Sequence, residues 1–127
     1  MDVYQTHGAF SWSELITSDP AAAATFYGKL FGWTFDTMPM PQGDYHVVKA
    51  ADTGVGGIMA FPPESPPMPP HWGCYVTVNN VDDTLVQCAS LGGATLVPAT
   101  DVPGVGRMAV IKDPQGAVLN VMQYAQR

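Results

Sequence analysis

The sequence predicts an α+β protein made of two tandem β-α-β-β-β units, and three features of its 127 residues carry that prediction. The first is a proline run, Pro62-Pro63-Glu64-Ser65-Pro66-Pro67-Met68-Pro69-Pro70, which holds six of the twelve prolines near mid-chain. Proline fixes φ and removes a backbone donor, so this run is neither a central strand nor a helix interior. It reads as an extended strap joining two halves. The second is a repeat at an offset of 61 positions, which brings Asp19 onto Asn80, Leu30 onto Leu91 and Gly32 onto Gly93. Thr34, Gly43 and Asp52 fall on Thr95, Gly104 and Asp113 at the same offset. The third is that each half carries one helix-like run between strand-like segments. A duplication of roughly fifty-residue units follows. The expected organisation is a single domain over 1–127, with repeat one about 9–61, strap 62–70 and repeat two about 71–124.

In the first half, residues 1–8 show no period and are expected to be a loose arm. Phe10 to Ile16 has strand composition, and alternation puts Phe10, Trp12, Glu14 and Ile16 on one face. Asp19-Pro20 is a helix start, with Asp as N-cap and Pro at the first helical position. The helix should bury a stripe of Ala23, Phe26, Tyr27, Leu30 and Phe31 and end at Gly32. Strands are expected over Trp33 to Thr37, Tyr45 to Ala51 and Val55 to Phe61, with turns at Met38 to Asp44 and Asp52-Thr53-Gly54.

The second half repeats the order. Gly73 to Val78 is the first strand, and Asn80 caps a helix with Asp82 and Asp83 in its first turn, where the dipole favours negative charge. Leu85, Val86, Cys88 and Ala89 are its expected buried side. Strands follow over Ala94 to Pro98, Gly106 to Lys112 and Ala117 to Tyr124, punctuated by Val102-Pro103-Gly104 and Asp113-Pro114-Gln115-Gly116. Each unit has one helix for one side of its sheet, which leaves the other side for a ligand.

Bulk composition excludes several classes. Hydrophobic content of 46% with 13% charged residues is that of a globular domain. Five Lys and Arg within a net charge of −6 make no basic patch, so nucleic acid is not an expected partner. The first ten residues lack the pattern of a signal peptide, and no apolar run approaches the roughly 18 residues of a membrane span. Cys74 and Cys88 lack CxxC spacing and are expected to be buried thiols in a reducing cytoplasm. His7, His46 and His71 show no metal-pair spacing, and Gly104-Val105-Gly106-Arg107 is too short to indicate phosphate binding.

The stretch from Asp19 to Trp33 with its FYxxLFGW pattern, the Gly56-Gly57-Ile58 turn-strand and Asp113-Pro114-Gln115-Gly116 resemble the glyoxalase/bleomycin-resistance/dioxygenase family, also called the vicinal oxygen chelate superfamily. The likeness runs from about Phe10 to Gln123. It implies curved mixed sheets around a cup, and one such fold hosts many chemistries. It also implies a homodimer. Metal-dependent members take an ion from four strand positions, which map here onto Trp12, Met59, Gly73 and Asn120. Three of these offer no oxygen or nitrogen ligand, so no metal and no cofactor is expected.

Glu14 follows Trp12 on the same strand face, and partial desolvation there suits a general base or a hydrogen-bond anchor. The alternative is a locally paired carboxylate at an edge. Trp12, Met59, Phe61, Tyr75 and Met122 are expected to line the cup for a flat apolar ligand, or else to fill the core. Asn120 is a second polar anchor or a satisfied structural amide. His46 and Arg107 are repeat equivalents and are expected at related ligand-facing positions in the two cups, or else His46 is an ordinary surface or satisfied histidine. The leading expectation is therefore metal-independent binding of a small, largely apolar molecule, as in drug-sequestering members. The rival is a lyase- or isomerase-type enzyme using Glu14 as base, with or without a non-standard metal site.

Overall fold

The computed structural model describes residues 1–41, 43–63 and 65–125; Glu64 of the proline run and Gln42 of the preceding loop lie outside the described residues. The elements run β1 (Phe10–Thr17), α1 (Pro20–Phe31), β2 (Thr34–Met38), β3 (Tyr45–Ala50), β4 (Thr53–Ala60), β5 (His71–Thr77), α2 (Val81–Ser90), β6 (Ala94–Val102), β7 (Gly106–Lys112) and β8 (Val118–Tyr124). This is β-α-β-β-β twice, the α+β order expected. The chain divides into two compact units, Trp12–Gly73 in one, and Met1–Ser11 with Cys74 onward in the other.

In the Trp12–Gly73 unit the strands lie in the order β2-β3-β4-β1. β1 and β4 are parallel, with Glu14 beside Gly57, Leu15 beside Ile58 and Ile16 beside Met59. The intervening helix and hairpin supply the long crossover that parallel neighbours require. Asp19 caps α1 by accepting the Ala22 N–H at 3.1 Å. Gly32, at φ 74°, ends the helix by returning its N–H to Gly28 O at 2.9 Å. Leu15, Val48 and Ile58 form the core, and Ala23, Ala24, Tyr27, Trp33 and Phe35 pack against it. Burying Ile58 and Val48 almost completely stabilises the fold by roughly 1.5–3 kcal/mol each.

The predicted α1 stripe is only partly right. Ala23 and Tyr27 face the core, but Phe26, Leu30 and Phe31 are each 58% exposed. A four-stranded sheet covers about one stripe of a helix, and α1 is apolar over more of its circumference than that.

The second unit orders its strands β5-β8-β7-β6, with β5 and β8 parallel. Its core is Val78, Val81, Ala109 and Val121, flanked by Leu85, Ala99 and Ile111. Asn80 caps α2 through the Asp83 N–H at 2.9 Å. Of the expected buried side of α2, Leu85 packs on the core while Val86 is exposed. β6 runs to Val102 instead of stopping at Pro98. It is the last strand of its sheet, where a missing N–H is tolerated, and its pairing with β7 shifts register on either side of Val97.

Residues 1–8 are not a loose arm. The Thr77 hydroxyl donates to Val3 O at 2.6 Å, Asn79 N–H donates to His7 Nδ1 at 2.9 Å, and Gly8 N–H donates to Thr77 O at 2.7 Å. Tyr4 meets Tyr124 edge-on at 5.0 Å between ring centres. The cysteines also depart from expectation. Both are free, but Cys74 is exposed and Cys88 half-buried.

Candidate functional site

Strand register separates two faces in the Trp12–Gly73 unit. Leu15, Ile58 and Val48 lie on the side packed by α1. Side chains alternate along each strand, so Trp12, Glu14, Gly57, Met59 and Val47 occupy the side without a helix. On that face Tyr45, from β3, donates its hydroxyl to Glu14 Oε2 at 2.7 Å and accepts the Trp12 indole N–H at 3.1 Å. All three residues are half-buried. The result is a directed chain, N–H to O–H to carboxylate. It fixes the Glu14 rotamer and gives the face a charge-bearing acceptor among apolar neighbours.

Tyr45 was not singled out from the sequence. Its position depends on Gly57, because a Cβ there would collide with the Tyr45 phenol. The Gly56-Gly57 pair thus has two roles. Gly56 lets β4 approach the Ser13 carbonyl of β1, and Gly57 leaves the hole that Tyr45 fills.

The other predicted residues are distributed as follows. Trp12 and Glu14 are brought together by Tyr45, and Met59 shares their face. Phe61 follows β4, its ring 6.5 Å from that of His71. In the second unit, Tyr75 lies beside Asn120 in register, and Met122 lies beside Thr77 and Met108. These residues share the helix-free side, with Tyr75 and Met122 buried and Asn120 half-buried.

His46 and Arg107 lie on the helix-packed sides of their strands, away from the faces that carry Glu14 and Asn120. His46 pairs with Ile58, shares a 2.9 Å hydrogen bond with Thr37 Oγ1, and meets Phe35 edge-on. Arg107 pairs with Gln123 and donates from Nε and one terminal nitrogen to both Asp82 oxygens at 3.0 Å. Its other terminal nitrogen donates to Asp101 at 2.9 Å. The hydrogen bonds from Arg107 hold the Asp82 carboxyl below the usual aspartate range. Asp82, and then Asp101, raise the guanidinium above its already high value. This cluster ties β6 and β7 to α2.

A cleft of about 470 Å³ opens in the second unit between Tyr4 and Gln5 of the arm and residues Asp101 to Arg107. Of the predicted site residues only Arg107 lies on its wall. Its hydrogen-bonding groups are largely used internally, as Arg107 by the two aspartates and Gln123 Oε1 by Val81 N–H at 2.9 Å. The Glu14 face is the stronger site, because its central carboxylate is oriented by Tyr45 beside Trp12, Val47 and Met59, with the Asp36–Lys49 ion pair, next to Val47, at its margin.

The four family metal positions do not fit an ion. The Trp12 nitrogen is a hydrogen-bond donor to Tyr45, Met59 offers a thioether, Gly73 offers nothing, and Asn120 is a single amide. Among the described residues no three His, Cys, Asp or Glu side chains come together in a way that would hold a metal. No helix among them is long and apolar enough to cross a membrane.

Comparison with known proteins agrees with this fold. Residues 9–121 match the model of the Glyoxalase/Bleomycin resistance protein/Dioxygenase superfamily, and the chain belongs to that superfamily. It is 40% identical over 119 residues to "Putative glyoxylase CFP32" of Mycobacterium tuberculosis, across 93% of this chain and 45% of that protein. It is 32% identical over 127 residues to the anthracycline biosynthesis protein DnrV of Streptomyces peucetius, across 90% of this chain and 46% of that one. The chain therefore spans about half the length of these curated relatives. Methylmalonyl-CoA epimerase from Mycobacterium tuberculosis shares the fold at a TM-score of 0.68 and 16% identity, over 94% of this chain and 89% of that one.

Proposed function

We propose that this domain binds a small, largely apolar organic molecule on the helix-free face around Glu14, without a metal ion. The Trp12–Tyr45–Glu14 chain carries the reading: it sets one oriented acceptor among Trp12, Val47 and Met59. Apolar surface supplies affinity and a few placed polar groups supply orientation, the usual division of labour in a small-molecule site. Trp12 and Met59 suit a flat ligand, and the likeness to a protein named for anthracycline biosynthesis supports that shape. Asn120, beside Tyr75 and Met122, is the corresponding polar group on the helix-free side of the other unit. In this role the protein resembles drug-sequestering members of the superfamily acting in the cytoplasm, a role that would confer antibiotic resistance.

A second reading makes Glu14 a general base in an isomerase- or lyase-type reaction. The Tyr45 hydrogen bond favours it, since a base held in one rotamer starts close to its working geometry. The likeness to a protein named as a glyoxylase points the same way.

The test is a titration with the neutral aromatic alcohol 2-naphthylmethanol, followed through the backbone amide resonances. The proposal expects shifts confined to residues 12–16, 45–47 and 55–61, unchanged after chelator treatment and weakened by Trp12→Ala. Shifts confined to the cleft of the second unit, or binding lost with chelator, would refute it. Turnover of any bound compound that Glu14→Gln abolishes while sparing binding would establish the enzyme reading.

A further inference from the structure

Charge is unbalanced on the helix-free face of the Trp12–Gly73 unit. Strand alternation places three charged side chains there: Glu14 on β1, Asp36 on β2 and Lys49 on β3. Lys49 Nζ lies 3.4 Å from Asp36 Oδ2, so these two offset each other and the negative charge of Glu14 is left over. The other lysine of the unit, Lys29, belongs to α1 on the opposite side. Across residues 12–73 six Asp and Glu stand against two Lys. Hydrogen bonding on the face also has a direction. An indole N–H only donates, and a tyrosine hydroxyl has a single hydrogen. Tyr45 receives the Trp12 N–H at 3.1 Å and gives its own hydrogen to Glu14 Oε2 at 2.7 Å, so both donors point toward the carboxylate. An ionised carboxylate has roughly four lone-pair sites, of which the Tyr45 bond uses one.

We propose that the molecule bound on this face carries a protonated amine, whose ammonium group pairs with Glu14 while a flat apolar part lies along Trp12, Val47 and Met59. This selectivity presupposes that the Glu14 face is the binding site and adds the charge class of its ligand. Covering Glu14 with a neutral ligand would bury a surplus charge without its opposite, and a carboxylate or phosphate ligand would meet it with like charge. An ammonium brings three donors and the opposite charge together. Trp12 adds a second attraction. Through Tyr45 its indole nitrogen lies within about 6 Å of Glu14 Oε2, and indole is the best aromatic partner for a cation at that range. The ring is located at both ends, by the Nε1 bond to Tyr45 and by Gly54, where a Cβ would stand 3.8 Å from Trp12 Cη2. A cation at Glu14 therefore meets an aromatic side chain already in place. The field of the whole chain acts in the same sense, since a net charge of −6 draws cations rather than anions.

Two probes of one shape test it: 2-naphthylmethylamine, protonated at neutral pH, and the uncharged 2-naphthylmethanol. Each is titrated into the whole chain and followed through the backbone amide resonances. The amine should shift residues 12–16, 45–47 and 55–61 and bind about tenfold or more tightly than the alcohol at low salt. The gap should narrow as salt rises to about 0.3 M. Glu14→Gln should bring the two probes within about twofold of each other, because the amide keeps the shape and removes the charge. Asp83→Asn removes an equal charge from the first turn of α2 and should leave the ratio unchanged. Circular dichroism checks that the variants fold. The wild type also gives a variant-free reading, in which 2-naphthylacetate should bind more weakly than the alcohol. If the alcohol shifts the Glu14 face and the amine binds no more tightly, the charge selectivity is overturned while the face stands as a site. An amine preference that survives Glu14→Gln, or amine shifts confined to the surroundings of Asp82 and Asp101, would overturn it as well. Binding of neither probe at residues 12–16 would overturn the selectivity and the site together.

Discussion

Replacing Gly57 with Ala should expel Tyr45 from the site. The added Cβ collides with the phenol oxygen and with the ring carbons behind it, so no small rotation relieves the clash. Two hydrogen bonds go with the ring, the 2.7 Å bond to Glu14 and the 3.1 Å bond from Trp12. A hydrogen bond to a charged group contributes about 1.5–3 kcal/mol, and overpacking a tight site costs about 1–3 kcal/mol. Some of this returns as water solvates the released carboxylate, so the net loss should be about 3 kcal/mol. For a domain of this size that lowers Tm by about 10 °C. Urea and thermal denaturation of the single variant supply the measurement. The double variant Gly57→Ala with Tyr45→Ala supplies the check, because once the phenol is gone the new methyl has nothing to strike. The two losses should fall short of additivity by at least about 1 kcal/mol. A Gly57→Ala protein within about 0.5 kcal/mol of wild type would show that Tyr45 does not occupy that hole.

Three further outcomes follow from the same geometry. Asp19→Ala should cost about 1 kcal/mol by removing the cap on the Ala22 N–H, measurable as a shift in the urea midpoint. Asp82 has its carboxyl held below the usual range by Arg107, so its contribution is present above the unfolded aspartate pKa and is lost as pH falls through the lower folded value. Asp82→Asn should therefore lower the urea midpoint near neutral pH and flatten its dependence on pH in the acid limb; an unaltered acid limb would dissociate the pair from stability. Glu14→Gln should weaken binding of 2-naphthylmethanol, because the oriented acceptor loses its charge, while circular dichroism stays unchanged.

What was legible in the sequence was local. Asp19-Pro20, Asn80 and Gly32 act within one helical turn, so caps and repeat order could be read directly. The alternation placing Trp12 and Glu14 together needs only one strand. What could not be read depends on partners far along the chain. Tyr45 reaches Glu14 from 31 residues away, and only the missing side chain at Gly57, on a third strand, makes room for it. The equivalence of His46 and Arg107 was visible in the offset, yet their face was not. That face is set by pairing with Ile58 and Gln123, and a one-residue change of register reverses it. The arm looked aperiodic because its hydrogen bonds run to Thr77 and Asn79, not to itself alone. In α1 the apolar pattern marked the helix correctly but held more apolar residues than one sheet can cover, and the excess is the patch around Phe26.

The proposed binding face around Glu14 is expected to work without an ion, and metal content tests that most directly. Elemental mass spectrometry on tag-free protein, purified without chelator and without added metal, should find less than about a tenth of an equivalent of any transition metal, as the donor set at Trp12, Met59, Gly73 and Asn120 dictates. A stoichiometric metal would contradict the account, place the ligands elsewhere in the chain, and move the weight to the enzyme reading.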